Sequence, residues 1–501
     1  MAQNEAGSPV RARSVQEYID ETPFWANGAR LTSAPLTRMQ WRIWALASAG
    51  KFFEGLAVFM TGVALPLIVK EFGLDAMGKG LASAAPLFGI LVGASLLGGM
   101  ADRYGRKRVF IAEMALFLLF LILLAVSPNF PWLLCCLFGL GLALGCDYPT
   151  GHMIISETIP SRDRGKIIIS AFGFQAFGAM AGAAVGYLCL YESPSPGAWR
   201  LMYAVAAGPA LVALAGRFFI PDSPAWLVSR DRTEEARRHL AALLRRTPPY
   251  PCVIRLQGPN GLAGDPARRP QNPLRRLFSR GNRRAAILAS IPWFLQDLGT
   301  YGIGVFTPTI LSSALGAKIV HARNLADLIH NDMMAAKGAA FIDLLLLAGI
   351  VAAALLADKA GRIRLQIIGF LGCAAGLALA TLSVNATGEA RMLYLYSGFM
   401  LFNFMTNMGP NAMTYLISGE VFPVDIRGLG AGMSASFGKI GAVITAFLFP
   451  FLLKDLGVGP LLWALTGTSL LGALVTFLFR IETKGVDLEN MERSRGVLEK
   501  E

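Results

Sequence analysis

Five ionisable side chains, Glu54, Asp147, Asp297, Asp343 and Lys439, stand inside stretches otherwise apolar enough to cross a bilayer. A charge at mid-membrane costs about 2–3 kcal/mol or more, so each needs a chemical purpose. Trp293, Asp297 and Tyr301 recur at every fourth position, which places an indole donor, a carboxylate and a phenol on one helix face. Their polar tips are spread too deep for an interfacial aromatic belt, and they line a cavity better than they face lipid. Asn403, Asn407 and Asn411, with Tyr415 a turn further on, make a second polar stripe. Asparagines either hydrogen-bond helices together or line a wet cavity, and a whole face of them suits the cavity better. Gly409-Pro410 loosens the helix there. Lys439 lies too far beyond Arg427 to snorkel, so its ammonium needs a carboxylate or a bound anion. Asp147-Tyr148-Pro149 interrupts another apolar stretch with an acid, a phenol and a helix breaker, and Gln175 adds an amide. Asp343 sits about a turn from the end of its stretch, where solvation and a buried role are both open. Glu113 is expected to pair with a nearby basic loop. Together these groups would hold a small oxyanion and let a proton travel with it.

The elements that must position them are helices in lipid. The chain has 501 residues, 54% hydrophobic and only 16% charged; a soluble chain carries about a quarter charged residues. A spanning helix needs about 20 mostly apolar residues. By that rule there are 12 candidates: 42–69, 80–101, 109–126, 131–156, 166–191, 200–219, 284–315, 336–357, 364–385, 391–417, 428–453 and 458–480. The expected fold is an all-α membrane protein with 12 transmembrane helices in two six-helix, pseudo-symmetric halves. Its divisions are an N-terminal segment 1–41, a first half 42–221, a linker 222–283 with a short helix, a second half 284–481 and a tail 482–501.

A net charge of +13 raises nucleic acid as a partner, but its placement argues against it. Lys and Arg gather at 102–108, 162–166, 217–284 and 358–364, in the even-to-odd connections. That alternation places both termini in the cytoplasm of a multi-pass protein of the cell (plasma or inner) membrane. The partners expected are the lipid bilayer, a small anionic substrate and a proton, with the chain acting as a monomer. Cysteines at 135, 136, 146, 189, 252 and 373 show no metal spacing. With no phosphate-cradling glycine loop and no nucleophile triad, an enzyme is not expected; neither are metal or cofactor. In the N-terminal segment, Ser14 and Glu17 form a capping box. In the linker, Thr233 is expected to cap a helix whose Arg237, Arg238, Arg245 and Arg246 face water or headgroups. The connection 316–336, with His321 and His330, reads as a solvated loop.

The chain repeats itself. Asp102, Gly105, Arg106 and Arg108 meet Asp358, Gly361, Arg362 and Arg364 at one constant offset. Glu157-x-x-Pro160-x-x-x-Arg164 recurs as Glu420-x-x-Pro423-x-x-x-Arg427 at nearly the same offset. One half-unit has been copied once, as in transporters built from two halves. A tight turn rich in Arg, with Arg103 beside Asp102, can pair charges between neighbouring helices and across the halves, which is a gating role. Gly105 and Gly361 permit a positive φ at the turn.

These paired loops, with Pro221-Asp222-Ser223-Pro224-Ala225-Trp226-Leu227 and Glu482-Thr483-Lys484-Gly485, resemble the major facilitator superfamily, nearest its sugar-porter-like branch. Gly145-Cys146-Asp147-Tyr148-Pro149, the run Trp293 to Gly302, and Gly409 through Lys439 look like the corresponding spans of phosphate:proton symporters. The resemblance implies phosphate contacts at Tyr148, Gln175, Trp293, Asp297, Tyr301, Asn411 and Lys439. It implies proton-carrying acids at Glu54 and Asp147, and Asp297 is read as accepting a proton when substrate binds. The family's span 1 carries two acids a turn apart; here Phe52-Phe53-Glu54-Gly55 has one. The reading is therefore a proton-coupled symporter of a small anion, phosphate first. An organic or aromatic acid is the alternative. A sugar porter or a non-transporting sensor is less favoured.

Overall fold

The computed structural model describes residues 12–22, 34–97, 100–246, 254–256, 273–316, 325–422 and 426–483. Twelve long helical segments dominate: α1 (Arg38–Phe72), α2 (Ala76–Val92, continuing as a π turn Gly93–Leu97), α3 (Arg106–Ala125), α4 (Phe130–Thr158), α5 (Arg164–Glu192) and α6 (Ala198–Phe218). After the linker come α7 (Arg280–Gly316), α8 (Leu325–Ala360), α9 (Arg362–Thr381), α10 (Gly388–Met408, resuming as Pro410–Glu420), α11 (Arg427–Leu456) and α12 (Val458–Leu478). Among the described residues there is no strand, only one isolated bridge between Arg13 and Leu256.

Ten of these helices are long and apolar enough to cross a membrane. The two that fall short are α7 and the broken α10. They carry the Trp293-Asp297-Tyr301 face and the asparagine stripe, so the polar groups that lower their hydropathy are the ones turned into the protein. Membrane helices cannot be driven together by hydrophobic burial alone, so backbones approach where side chains are small. A Cβ added at Gly55 would lie 2.0 Å from the Gln175 carbonyl oxygen, and at Gly178 1.9 Å from that of Phe52. These contacts clamp α1 to α5 beside Glu54 and Gln175.

The packing repeats between halves. α1 packs on α5 as α7 does on α11, α2 on α4 as α8 on α10, and α3 on α6 as α9 on α12. The halves meet crosswise, α2 on α11 and α5 on α8, with α1 and α7 facing each other between. One face of the molecule carries the two basic turns, the linker helices and the ends of α4 and α10; it is called the linker face below. Tight turns enter α3 and α9 through Gly105 (φ 104°) and Gly361 (φ 94°), conformations a side chain would strain.

Local expectations met different outcomes. The Ser14–Glu17 capping box opens the helix Val15–Asp20. Thr233 is the first residue of the linker helix Thr233–Leu243, with Arg232 in the cap position and no side-chain cap. Arg246 does not face water: it is buried and donates to the carbonyls of Ile19 (3.0 Å) and Glu21 (3.3 Å), tying the N-terminal helix to the linker. Pro149 does not interrupt α4, which runs through it. Gly409 does break α10, with φ −115° and ψ −96°. His330 lies exposed on the first turns of α8 rather than in a loop; His321 is outside the described residues.

Candidate functional site

The site is assembled around Lys439. α11 carries its ammonium to the middle of the molecule, where the side chain is only 6% exposed. α1 brings Glu54 to it, with Nζ to Oε1 at 3.3 Å. α7 brings Asp297, whose Oδ2 lies 3.7 Å from Nζ, and Tyr301, whose hydroxyl accepts from Nζ. Tyr301 in turn donates to Glu54 Oε1 at 3.2 Å. The expected face of α7 is therefore real: Trp293, Asp297 and Tyr301 are all buried on one side. Glu54, Gln175, Trp293, Asp297, Asn411 and Lys439 line one small cavity, with Phe172, Thr300 and Tyr301 completing it. Asp297 Oδ2 and Gln296 Oε1 are buried with no hydrogen bond of their own.

A second cation stands a turn earlier on α1. Lys51 is buried and bonds Glu54 Oε2 at 2.7 Å, so Glu54 is clasped by two ammoniums, one on each oxygen. Sequence reasoning missed Lys51, although it lies within the apolar stretch 42–69 and three residues before Glu54. It also missed Arg217, read as a basic residue at the linker's edge. Arg217 is completely buried and bridges Asp147 (2.5 Å) and Glu113 (3.1 Å), while its guanidinium lies over the Phe110 ring. Glu113 thus pairs with α6, not with the basic turn as expected, because α3 packs directly on α6.

Asp147 is set apart from Lys439. With Lys51 and His152 it lines a separate small cavity toward the linker face. The asparagine stripe divides its work. Asn411 faces the central cavity and takes a hydrogen bond from Gln296 at 3.3 Å. Asn407 holds the α8 backbone at Leu346 O (3.0 Å), and Asn403 holds Asp343 (3.0 Å). Most of that face is interhelical glue rather than cavity lining, because α10 lies against α8 along its length. Asp343 is buried, not solvated. The side chains of Asp102, Tyr148, Asp358 and Arg427 lie outside the described residues.

At the linker face the two copies form matching networks. Arg106 pairs with Glu157 at 3.0 Å, and Arg362 with Glu420 at 3.3 Å. Arg106 also donates to Ala101 O (3.0 Å) and Arg362 to Ala357 O (3.2 Å). Each network is closed by an acid–hydroxyl pair after the sixth helix of its half. The amide of Lys107 donates to Asp222, and Ser223 to Glu157; the amides of Arg362 and Ile363 donate to Glu482, and Thr483 to Glu420. The repeat Asp222-Ser223 and Glu482-Thr483 was present in the sequence, in two motifs quoted for the family and not matched to each other. These described ion pairs join helices within one half rather than crossing between halves. Arg103 lies over the Tyr104 ring (5.5 Å), Arg108 is exposed, and Arg164 reaches Ser161 at 3.4 Å.

Comparison with known proteins agrees with this architecture. The family model described as Sugar (and other) transporter matches residues 43–494. A putative metabolite transport protein of Escherichia coli is 29% identical over 89% of this chain and 93% of its own. A putative inorganic phosphate transporter of Schizosaccharomyces pombe is 26% identical over 97% and 92%. Among solved structures, the proton:xylose symporter XylE bound to 6-bromo-6-deoxy-D-glucose superposes with a TM-score of 0.69 at 21% identity, covering 91% of this chain and 98% of that one.

Proposed function

We infer the function from one premise: the chain belongs to the Sugar (and other) transporter family, within the major facilitator superfamily, and is a multi-pass membrane transporter, not an enzyme. From that premise we propose a proton-coupled symporter of a small anion, inorganic phosphate first, working by alternating access. The observation that supports the proposal is a buried cluster of two ammoniums and two carboxylates, Lys51–Glu54–Lys439–Asp297, of which Glu54, Asp297 and Lys439 line the central cavity. Fully ionised, Lys51, Lys439, Glu54 and Asp297 cancel. An anion entering alone would leave an uncompensated charge in low dielectric, which costs several kcal/mol. An anion entering with a proton for Glu54 or Asp297 restores the balance and frees an ammonium to bind it. Proton and anion therefore travel together.

Asp297 Oδ2, buried without a hydrogen bond, favours an oxyanion that can donate one. Monobasic phosphate carries P–OH groups; sulfate does not. The relative named as a phosphate transporter supports this cargo. Asp147 is proposed as a further proton carrier, and the paired Arg106–Glu157 and Arg362–Glu420 networks as hinges of a gate. The basic linker face is proposed as the cytoplasmic face of the cell membrane.

The test is uptake into proteoliposomes. Phosphate should accumulate only with an inward proton gradient, and uptake that persists with the gradient collapsed would remove the coupling. Lys439→Ala should lower uptake at least about 100-fold in folded protein; full activity would remove the anion site. The second reading is an aromatic or carboxylic acid, favoured by Trp293 and Phe172 in the cavity wall. Competition of labelled phosphate by benzoate, nicotinate and sulfate separates the two.

A further inference from the structure

Apart from Lys51 and Asp147, the polar residues of the cavity toward the linker face have no part in the cycle described above. This cavity is walled by Lys51, Asp147 and His152, with Phe172 and Tyr415 at its inner end. Phe172 also lines the central cavity. Its ring stacks on Tyr415 at 4.7 Å and 20°, so one aromatic pair, α5 from the first half and α10 from the second, separates the two spaces. In the other direction, α1 and α7 meet at their backbones: a Cβ on Gly62 would lie 2.4 Å from Val305 O. The central site is therefore bordered by close-packed backbone of α1 and α7 on one side and by a stacked ring pair on the other.

On either side of that pair stands an ammonium, Lys439 centrally and Lys51 toward the linker face. Glu54 is bonded to both at once, through different oxygens. The groups facing Glu54 are Lys51 from α1, Lys439 from α11, Tyr301 and Asp297 from α7 and Gln175 from α5. Those facing Lys51 are Glu54 from its own helix, Asp147 and His152 from α4, and the Phe172 ring at 5.9 Å. Asp147 is itself taken up by Arg217; the other polar groups of the cavity wall are the Lys51 ammonium, the His152 imidazole and the Tyr415 phenol.

We propose that this cavity is a second station for the transported anion, held by Lys51, His152 and Tyr415, and that Glu54 is the shared switch between the two stations. The proposal rests on the anion reading above. A proton on Glu54 removes the one negative charge that both ammoniums share. The anion bound at Lys439 then passes the parted Phe172–Tyr415 pair to Lys51, and loss of the proton lets Glu54 reclaim both lysines and expel it.

The probe is inorganic phosphate, with full-length protein in proteoliposomes. Counterflow with equal pH on both sides reports passage of the anion without a net proton gradient. Thermal protection by phosphate in detergent at pH 5.5 reports occupancy of the central station. Lys51→Met should lower counterflow at least about tenfold, and Lys51→Arg should recover more than half of the rate; His152→Ala, whose side chain lines only the linker-face cavity, should lower counterflow at least about threefold while phosphate still protects within about threefold of the wild-type concentration. Counterflow of Lys51→Met within twofold of wild type, or no recovery in folded Lys51→Arg, overturns the second station. Should Lys51→Met not fold, His152→Ala and Tyr415→Phe carry the test. Each should lose at least about threefold, and full counterflow in both overturns the proposal. Wild-type protein that phosphate neither protects nor exchanges overturns the phosphate reading instead, a result separate from any variant.

Discussion

Glu54 concentrates the chemistry at the scale of a single residue. It takes one hydrogen bond from Lys51, one from Lys439 and one from Tyr301, so its charge decides whether either lysine is available. Replacing it by the neutral isostere should mimic the protonated state. Glu54→Gln is expected to bind phosphate about equally at pH 5.5 and 7.5 when compared at equal concentrations of the monobasic ion, where wild type weakens on the alkaline side, and to take up phosphate without a proton gradient. Binding isotherms at the two pH values check this, and a retained pH dependence would assign the proton to another acid. Lys439, Asp297 and Tyr301 were legible because a charge or a polar stripe inside an apolar helix has few explanations. Lys51 was not, because a lysine three residues from a glutamate on one helix reads as a local ion pair wherever that face points.

At the scale of elements, the turns and the linker act as latches. Asp222 accepts from the amides of Lys107 and Ser223, and its own amide donates to Nδ1 of His239 on the linker helix at 2.8 Å. Burial holds the His239 imidazole below its usual range, with Asp222 opposing the shift. A neutral Nδ1 is the acceptor, so this contribution to stability is present above the unfolded imidazole's pKa of about 6.5 and is lost as pH falls below it toward the depressed folded value. His239→Gln keeps an acceptor that does not titrate. Between pH 7 and 5 its unfolding midpoint should fall about 1–2 °C less than wild type; equal falls would show that the contact contributes nothing. The helices themselves were largely legible from apolar length. The break at Gly409 was too, since Gly-Pro removes both side-chain support and an amide donor. The roles of Asn403 and Asn407 were not, because a stripe of amides reads alike whether it faces water or a neighbouring helix.

At the scale of the whole molecule, two copied halves meet crosswise through α2–α11 and α5–α8. Transport by alternating access requires one of these seams to open on the linker face. Gly173 of α5 stands against Ile350 of α8, with a built Cβ 3.9 Å from that of Ile350, within the span of a disulfide. Gly173→Cys/Ile350→Cys should cross-link under mild oxidation and lower phosphate uptake at least about tenfold, with recovery on reduction. Cross-linked protein that still transports would place the moving seam elsewhere. Native cysteines, most of them buried, are controlled by the two single variants.

The chain by itself determined its solvent, its duplication and most of the charged cast. Apolar length, repeated motifs and the cost of a charge in lipid are local properties that any reader of the residues can weigh. Only the tertiary structure decided the partnerships: Glu54 between two lysines, Arg217 between Asp147 and Glu113, and Asn403 against Asp343. These pairs join helices far apart in sequence. Which of several buried ions a cation meets depends on how helices are rotated and packed, and that is set by close backbone contacts such as Gly55 on Gln175, not by the ions' own spacing along the chain.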